Sequence, residues 1–278
     1  MKRKRNNSIE MIDQIDTQDL LWQNISELPY FRGFLRSIEA KYFRELQIEN
    51  PVLDLGCGDG HFSARTFENN QLQGIDPSFR SLLSAKRYNY YFGLICTEGN
   101  HLPYKKNSYK TIISNSVLEH IPDVDSVIRE VVRVLLLGGK FIITVPNSNF
   151  TNNLSIAKFF DKLGIKLFAN GYRRFFNWIS RHRHPDPTEQ WLGRLKKQGL
   201  VIKNHWNYFP PPSLKILEWG HYFGLPSWLN SKVFGRWVLN PKKSNYLLKR
   251  IYFWIYPYYQ GDQKSLNGAY TFIVAEKQ

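Results

Sequence analysis

Only two cysteines, Cys57 and Cys96, occur in the 278-residue chain, and they form no C-x-x-C pair. That scarcity argues against a disulfide framework and against a cysteine-based zinc site, so no metal is expected. Long apolar runs are also missing. No window of about 18 uncharged apolar residues is present, so no spanning helix is expected. Met1-Lys2-Arg3-Lys4-Arg5 is basic, but no apolar stretch follows it, so the segment reads as a solvated tail and not a secretion signal. A reducing, cytoplasmic setting fits these absences. Acids are scarce as well: 23 Asp and Glu stand against 38 Lys and Arg, a formal charge of +15. With 15% aromatic residues, that imbalance leaves three partner classes open: nucleic acid, an anionic membrane surface and an acidic ligand.

What is present is an alternation of short apolar segments with amphipathic ones. Residues 9–46 read as an N-terminal helical segment. From residue 47 the pattern predicts strands at 52–55, 71–75, 94–96, 110–114 and 140–145, with helices near 61–68, 79–88 and 124–137. Alternation of this kind implies a doubly wound, mostly parallel sheet with right-handed crossovers. A helix at 188–198, a strand at 200–208 and a last strand at 269–275 continue it, interrupted by insertions at about 149–183 and 209–267. The chain therefore reads as residues 1–46 followed by one α/β domain over 47–278, whose insertions cap a substrate pocket.

The chemistry concentrates at the strand ends. Val52-Leu53-Asp54-Leu55-Gly56-Cys57-Gly58-Asp59-Gly60 is a buried strand entering a glycine-rich turn and then a helix. Gly56 and Gly58 permit a sharp turn and close approach of a ligand, and Gly60 opens a helix whose N–H groups face outward. The third glycine comes one position early for a nucleotide-phosphate loop, and Asp54 precedes the turn. Gly74-Ile75-Asp76-Pro77 places an acid at the second strand tip, where it suits a ribose diol. Glu98-Gly99-Asn100-His101-Leu102-Pro103, then Ser114-Asn115-Ser116-Val117-Leu118-Glu119-His120-Ile121-Pro122, and Gly138-Gly139-Lys140 follow in order.

In order and spacing, these five signatures resemble the class I S-adenosylmethionine-dependent methyltransferases, type 11 subfamily, which includes quinone-biosynthesis enzymes. The resemblance covers residues 51–146 well, 191–208 moderately and the insertions hardly at all. It implies a seven-stranded Rossmann-like sheet with an antiparallel final strand, and S-adenosyl-L-methionine as cofactor. By position, Asp54, Gly56, Cys57 and Gly58 would cradle the aminoacid portion, and Asp76 the ribose. Asn100 and His101 would meet the adenine, with Asn115 and Ser116 at the methionine end. The family commonly has aspartate where Asn100 stands; the asparagine carbonyl oxygen still accepts a hydrogen bond. Cys57 reads as a small filler whose backbone N–H matters more than its thiol.

Transfer to a hydroxyl needs a base, and histidine suits the task. His184 and His120 are the candidates, His184 being preferred over its neighbour His182, while His205 is expected to be packed within a strand. The aromatic, basic insertion at 209–267 carries a helical stretch, 246–259, able to lie in a membrane interface. The expected acceptor is a small or lipid-linked molecule methylated at oxygen, at or near an anionic cytoplasmic membrane face. Nucleic acid is disfavoured, since no Asn/Asp-Pro-Pro-Tyr motif or separate RNA-binding module is present. An RNA methyltransferase and a non-catalytic protein that kept the fold are the rivals.

Overall fold

The structure, a computed structural model, describes residues 15–67, 72–223 and 245–278. The basic tail, the helix start at Ile9, the element ends at Glu68 and Gln71, and Trp228, Lys232, Phe234, Arg236, Trp237, Lys242 and Lys243 lie outside the described residues. In chain order the elements begin with α1 (Leu20–Glu27), α2 (Tyr30–Arg44), β1 (Val52–Leu55), α3 (His61–Thr66), β2 (Leu72–Asp76), α4 (Phe79–Lys86), β3 (Tyr91–Cys96), β4 (Tyr109–Asn115), a 3-10 turn (Leu118–His120), α5 (Val124–Val134) and β5 (Leu135–Pro146). They continue with α6 (Asn149–Asn152), α7 (Ser155–Lys162), α8 (Lys166–Ser180), α9 (Thr188–Lys197), β6 (Leu200–Tyr208), α10 (Pro211–Phe223), α11 (Asn245–Gln260) and β7 (Tyr270–Lys277).

The chain divides into two compact units. The larger comprises Arg44–Leu214 and Gln263–Gln278 and holds a seven-stranded sheet of order β3-β2-β1-β4-β5-β7-β6. Strands β1 to β5 pair in parallel, and β7 runs antiparallel to both β5 and β6. This is the doubly wound, mostly parallel arrangement that the alternation implies, with the antiparallel last strand. All four residues of β1 are buried, as a strand covered on both faces requires. Because β1 pairs with β2 on one side and β4 on the other, the chain reverses its winding there, and the crevice beyond their C-terminal ends is the place for a ligand.

Helix α5 shows how the core is made. Val124, Val127, Ile128, Val131 and Val134 recur at helical spacing and are all buried, while the Asp123 side chain accepts the Ser126 N–H and caps the start. The helix ends earlier than the predicted 137. Leu135 pairs with Tyr109 while Lys140 pairs with Thr111, so the residues between form a bulge at the start of β5. Gly138 has φ 67° there, and Lys110 Nζ donates to its carbonyl at 3.2 Å. Leu137 consequently points into solvent.

The smaller unit comprises the described residues of Met1–Phe43 and Lys215–Asp262, so the N-terminal helices and most of the later insertion fall together. Among the described residues, the helical segment expected over 9–46 is realised as α1 and α2. Leu28 is extended (φ −115°, ψ 160°) because it precedes Pro29, whose ring disfavours a helical predecessor. Helix α11 realises the expected helix at 246–259: Tyr252, Ile255 and Tyr259 are buried, and Tyr246, Leu247, Trp254 and Tyr258 are exposed. No helix among the described residues is long and apolar enough to cross a membrane.

Candidate functional site

The turn after β1 is tied to β2 through one oxygen: the N–H groups of Gly56 and Cys57 both donate to the Ile75 carbonyl at 2.9 Å. Gly56 lies at φ +79°, and a Cβ there would stand 2.4 Å from the Val117 side chain. The loop after β4 therefore presses directly on Gly56. Gly58, at φ +56°, has nothing within 4 Å of a built Cβ; its side faces open space. Asp76 completes the turn. One carboxylate oxygen accepts the Gly58 N–H at 3.0 Å and the other accepts the Ser78 N–H at 2.8 Å.

Asp54 lies beneath this loop, 4% exposed. The same carboxylate oxygen accepts from Ser63 Oγ and from the Tyr91 hydroxyl, each at 2.6 Å. Burial pushes its pKa up to about 6, against the pull of those two donors, and the charge of Asp76 pushes the same way. Neither Ser63 nor Tyr91 stands out in the sequence. Cys57 is buried against Gly74, and burial together with the charges of Asp54 and Asp76 drives its thiol far above the ordinary range. A thiol so placed is inert, which leaves its backbone as the useful part.

At the other side of β1, Ser114 Oγ donates to the Leu55 carbonyl at 3.0 Å and locks the tip of β4 to that of β1. Asn115 Oδ1 accepts from Thr144 Oγ1, and the Ser116 N–H donates to the Thr144 carbonyl and hydroxyl at 3.1 and 2.9 Å. Ser116 itself is left-handed (φ 52°), a conformation uncommon for a residue with a side chain. Thr144, on β5, is thus what shapes the Asn115–Ser116 corner.

Asn100 and His101 are exposed in the turn after β3. That turn is held from α5. Glu130 accepts the Leu102 N–H at 3.0 Å, and Arg133 donates to the Leu102 and Tyr104 carbonyls at 2.9 and 2.8 Å while pairing with Glu130. The Arg133 hydrogen bond keeps the Glu130 carboxyl below its usual range. On the sequence this i,i+3 pair looks like an ordinary solvated helix face.

The histidines converge from distant positions. Arg183 and His184 donate their N–H groups to the Glu119 carbonyl at 2.8 and 3.2 Å, which brings the end of the first insertion onto the loop after β4. His120 Nδ1 lies 2.9 Å from the Arg181 carbonyl, and its Nε2 is 3.8 Å from Glu119 Oε1. His184 directs Nε2 at the Ile121 and Pro122 carbonyls (2.9 and 3.3 Å) and Nδ1 at Asp186, 3.5 Å away, which in turn pairs with Arg194. Both nitrogens of His184 thus face acceptors. His182 packs edge-on against Phe150. His205 is exposed, not packed, because β6 is the edge of the sheet. Among the described residues, no group of three or more His, Cys, Asp or Glu is placed to hold a metal ion.

S-adenosylmethionine requires a turn that admits it without a Cβ in the way, and an accessible carboxylate for its ribose. Gly58 supplies the first, and Asp76, only partly buried at the adjoining strand tip, supplies the second. The residues present fit the cofactor.

Comparison with known proteins agrees. Residues 53–143 match a family model described as a methyltransferase domain. An uncharacterized protein of Methanocaldococcus jannaschii is 35% identical over 170 residues, covering 55% of this chain and 73% of the relative. A tRNA U34 carboxymethyltransferase of Nautilia profundicola is 26% identical, covering 51% of this chain and 50% of the relative. A malonyl-[acyl-carrier protein] O-methyltransferase of Legionella pneumophila is 27% identical, covering 44% and 46%. The chain thus spans about half the length of these two named relatives. Among solved structures, a SAM-dependent methyltransferase of Thermotoga maritima shares the fold at 15% identity, with TM-score 0.54 over 89% of this chain and 91% of that one. The match of the strand-end signatures, the sheet order and these relatives places the chain in the class I S-adenosylmethionine-dependent methyltransferases, type 11.

Proposed function

We propose that the protein methylates a hydroxyl oxygen on a small-molecule or lipid-linked acceptor, with His120 as the base. The observation that carries this reading is the position and orientation of His120, three residues beyond the turn that presses on Gly56. A carbonyl oxygen can only accept, so the 2.9 Å contact with Arg181 sets the proton of the neutral ring on Nδ1 and its lone pair on Nε2. The Glu119 carboxyl group lies 3.8 Å from Nε2. His184 likewise directs one nitrogen at backbone carbonyls and the other at a carboxylate, but its side chain is 18% exposed against 41% for His120, so His120 is the histidine an acceptor reaches more readily.

When bound, the cofactor supplies an electrophilic methyl group on a sulfonium centre. The chain's part is to hold and orient it. Asp54 and the backbone of Gly56, Cys57 and Gly58 serve the aminoacid end, and Asp76 the ribose. Asn100 and His101 serve the adenine, and Asn115 and Ser116 the methionine end. The O-methyltransferase relative supports an oxygen acceptor. The test is transfer of labelled methyl into small phenols, lipid extract and tRNA, comparing wild type with His120→Gln. General-base removal lowers kcat by about 100-fold or more while cofactor binding is kept. Unchanged kcat sinks the role of His120, and labelling of tRNA alone sinks the small or lipid-linked acceptor.

The net charge of +15 and the tRNA-modifying relative favour RNA as the second reading. It requires RNA binding that weakens steeply as salt rises.

A further inference from the structure

The first insertion presents an apolar face to solvent. At 100° per residue, Leu167, Gly171, Phe175 and Trp178 of α8 fall within about 80° of arc, and all are exposed. Ala169 and Phe176, on the opposite side, are fully buried. Helix α8 is therefore apolar on two faces: one packs inward, and the other carries Leu167 at 82% exposure and Trp178 at 75%. Phe159 of α7, Leu163 at its C-terminal cap, Ile165 in the turn and Phe168 of α8 are exposed as well. So many large apolar side chains exposed on one short segment mark an interaction surface.

The charges of this segment are mostly of one sign. Between residues 149 and 185 stand Lys158, Lys162, Lys166, Arg173, Arg174, Arg181 and Arg183, with Asp161 as the sole acid, itself paired to Arg173. Lys162 and Lys166 bracket the exposed turn between the helices. An amphipathic hairpin that exposes Trp, Phe and Leu on a segment otherwise rich in Lys and Arg has the composition that seats in the headgroup region of an anionic bilayer: rings enter the acyl boundary and cations stay with the phosphates. We infer that the α7–α8 hairpin is a docking surface for anionic lipid. The inference does not depend on methyl transfer or on the acceptor.

Co-sedimentation of the full chain with vesicles tests it, using phosphatidylcholine alone and phosphatidylcholine mixed with phosphatidylglycerol. The expected result is capture by the mixed vesicles only, weakened by salt. The surface double variant Leu167→Glu with Trp178→Glu should weaken capture at least about tenfold, and Lys162→Glu with Lys166→Glu should act in the same direction. Unaltered S-adenosylmethionine binding by both variants shows that the fold and cofactor site remain intact. Absence of capture overturns the proposal, as does equal capture by neutral vesicles or capture indifferent to both variants. Gel filtration decides the remaining alternative: a dimer that the apolar variant splits, with no vesicle capture, assigns the face to a second copy of the chain.

Discussion

Replacing Asp54 by asparagine should make the protein more stable at neutral pH, by an amount that pH itself controls. The folded-state pKa is about 6, against an ordinary 3.8, and burial is the main cause. The difference of about 2 units, at 1.36 kcal/mol each, is a cost of roughly 3 kcal/mol to the folded state. The sign follows from proton counts. Between pH 3.8 and 6 the folded chain holds the proton more tightly than the unfolded one, so stability falls as pH rises through that window. Below 3.8 both states are protonated and the cost vanishes; above 6 both are charged and it is borne in full. Asparagine resembles the protonated form, and its amide oxygen can accept from Ser63 and Tyr91 as the carboxylate does. Urea unfolding of both proteins at several pH values gives the relevant quantity, the difference between them, from which other titrating groups cancel. That difference should be about 0.5 kcal/mol at pH 4 and reach about 2–3 kcal/mol in favour of the variant by pH 7. A flat difference, or a less stable variant at pH 7, refutes the reasoning. On the proposed role of Asp54 at the cofactor's cationic aminoacid end, the same substitution should weaken S-adenosylmethionine binding.

The two loop glycines should separate fold from function. Gly56→Ala forces a left-handed alanine against Val117 and should cost about 2 kcal/mol or more of stability, read by thermal unfolding. Gly58→Ala meets nothing within 4 Å and should cost only about 1 kcal/mol, yet weaken cofactor binding by titration calorimetry more than its stability loss explains. Arg133→Met frees the Leu102 and Tyr104 carbonyls that hold the Asn100 turn. The Kd for S-adenosylmethionine should rise about threefold to tenfold, the scale of one net hydrogen bond, with kcat at saturation preserved; an unchanged Kd removes Arg133 from the positioning of that turn. His184→Ala should lower the unfolding midpoint and leave the pH profile of kcat in place, whereas a lost profile would return the base to His184.

What the sequence revealed and what it hid divide along a physical line. The Gly56–Gly60 turn and strands such as β5, with Phe141, Ile142 and Ile143 all buried, were legible because a central strand is written largely in apolar residues, and a backbone at positive φ selects glycine; both are local demands on residue type. The break at Leu28–Pro29 is local too, and the proline announces it. The supports of the site are not local. Tyr91 reaches Asp54 across 37 positions, Arg133 reaches Leu102 across 31, and Thr144 reaches Asn115 across 29. Each partner has a side chain common on any polar surface, so nothing in its own neighbourhood singles it out. His205 was misplaced for the same reason: whether a strand is central or at an edge depends on sheet order, which periodicity does not carry. The outward face of α8 is the most instructive case. Apolar residues at helical spacing read as core, and in α8 two such sets interleave in one helix, at Ala169 and Phe176 and at Leu167, Phe175 and Trp178. Only the packing reveals which set is left for something outside the chain.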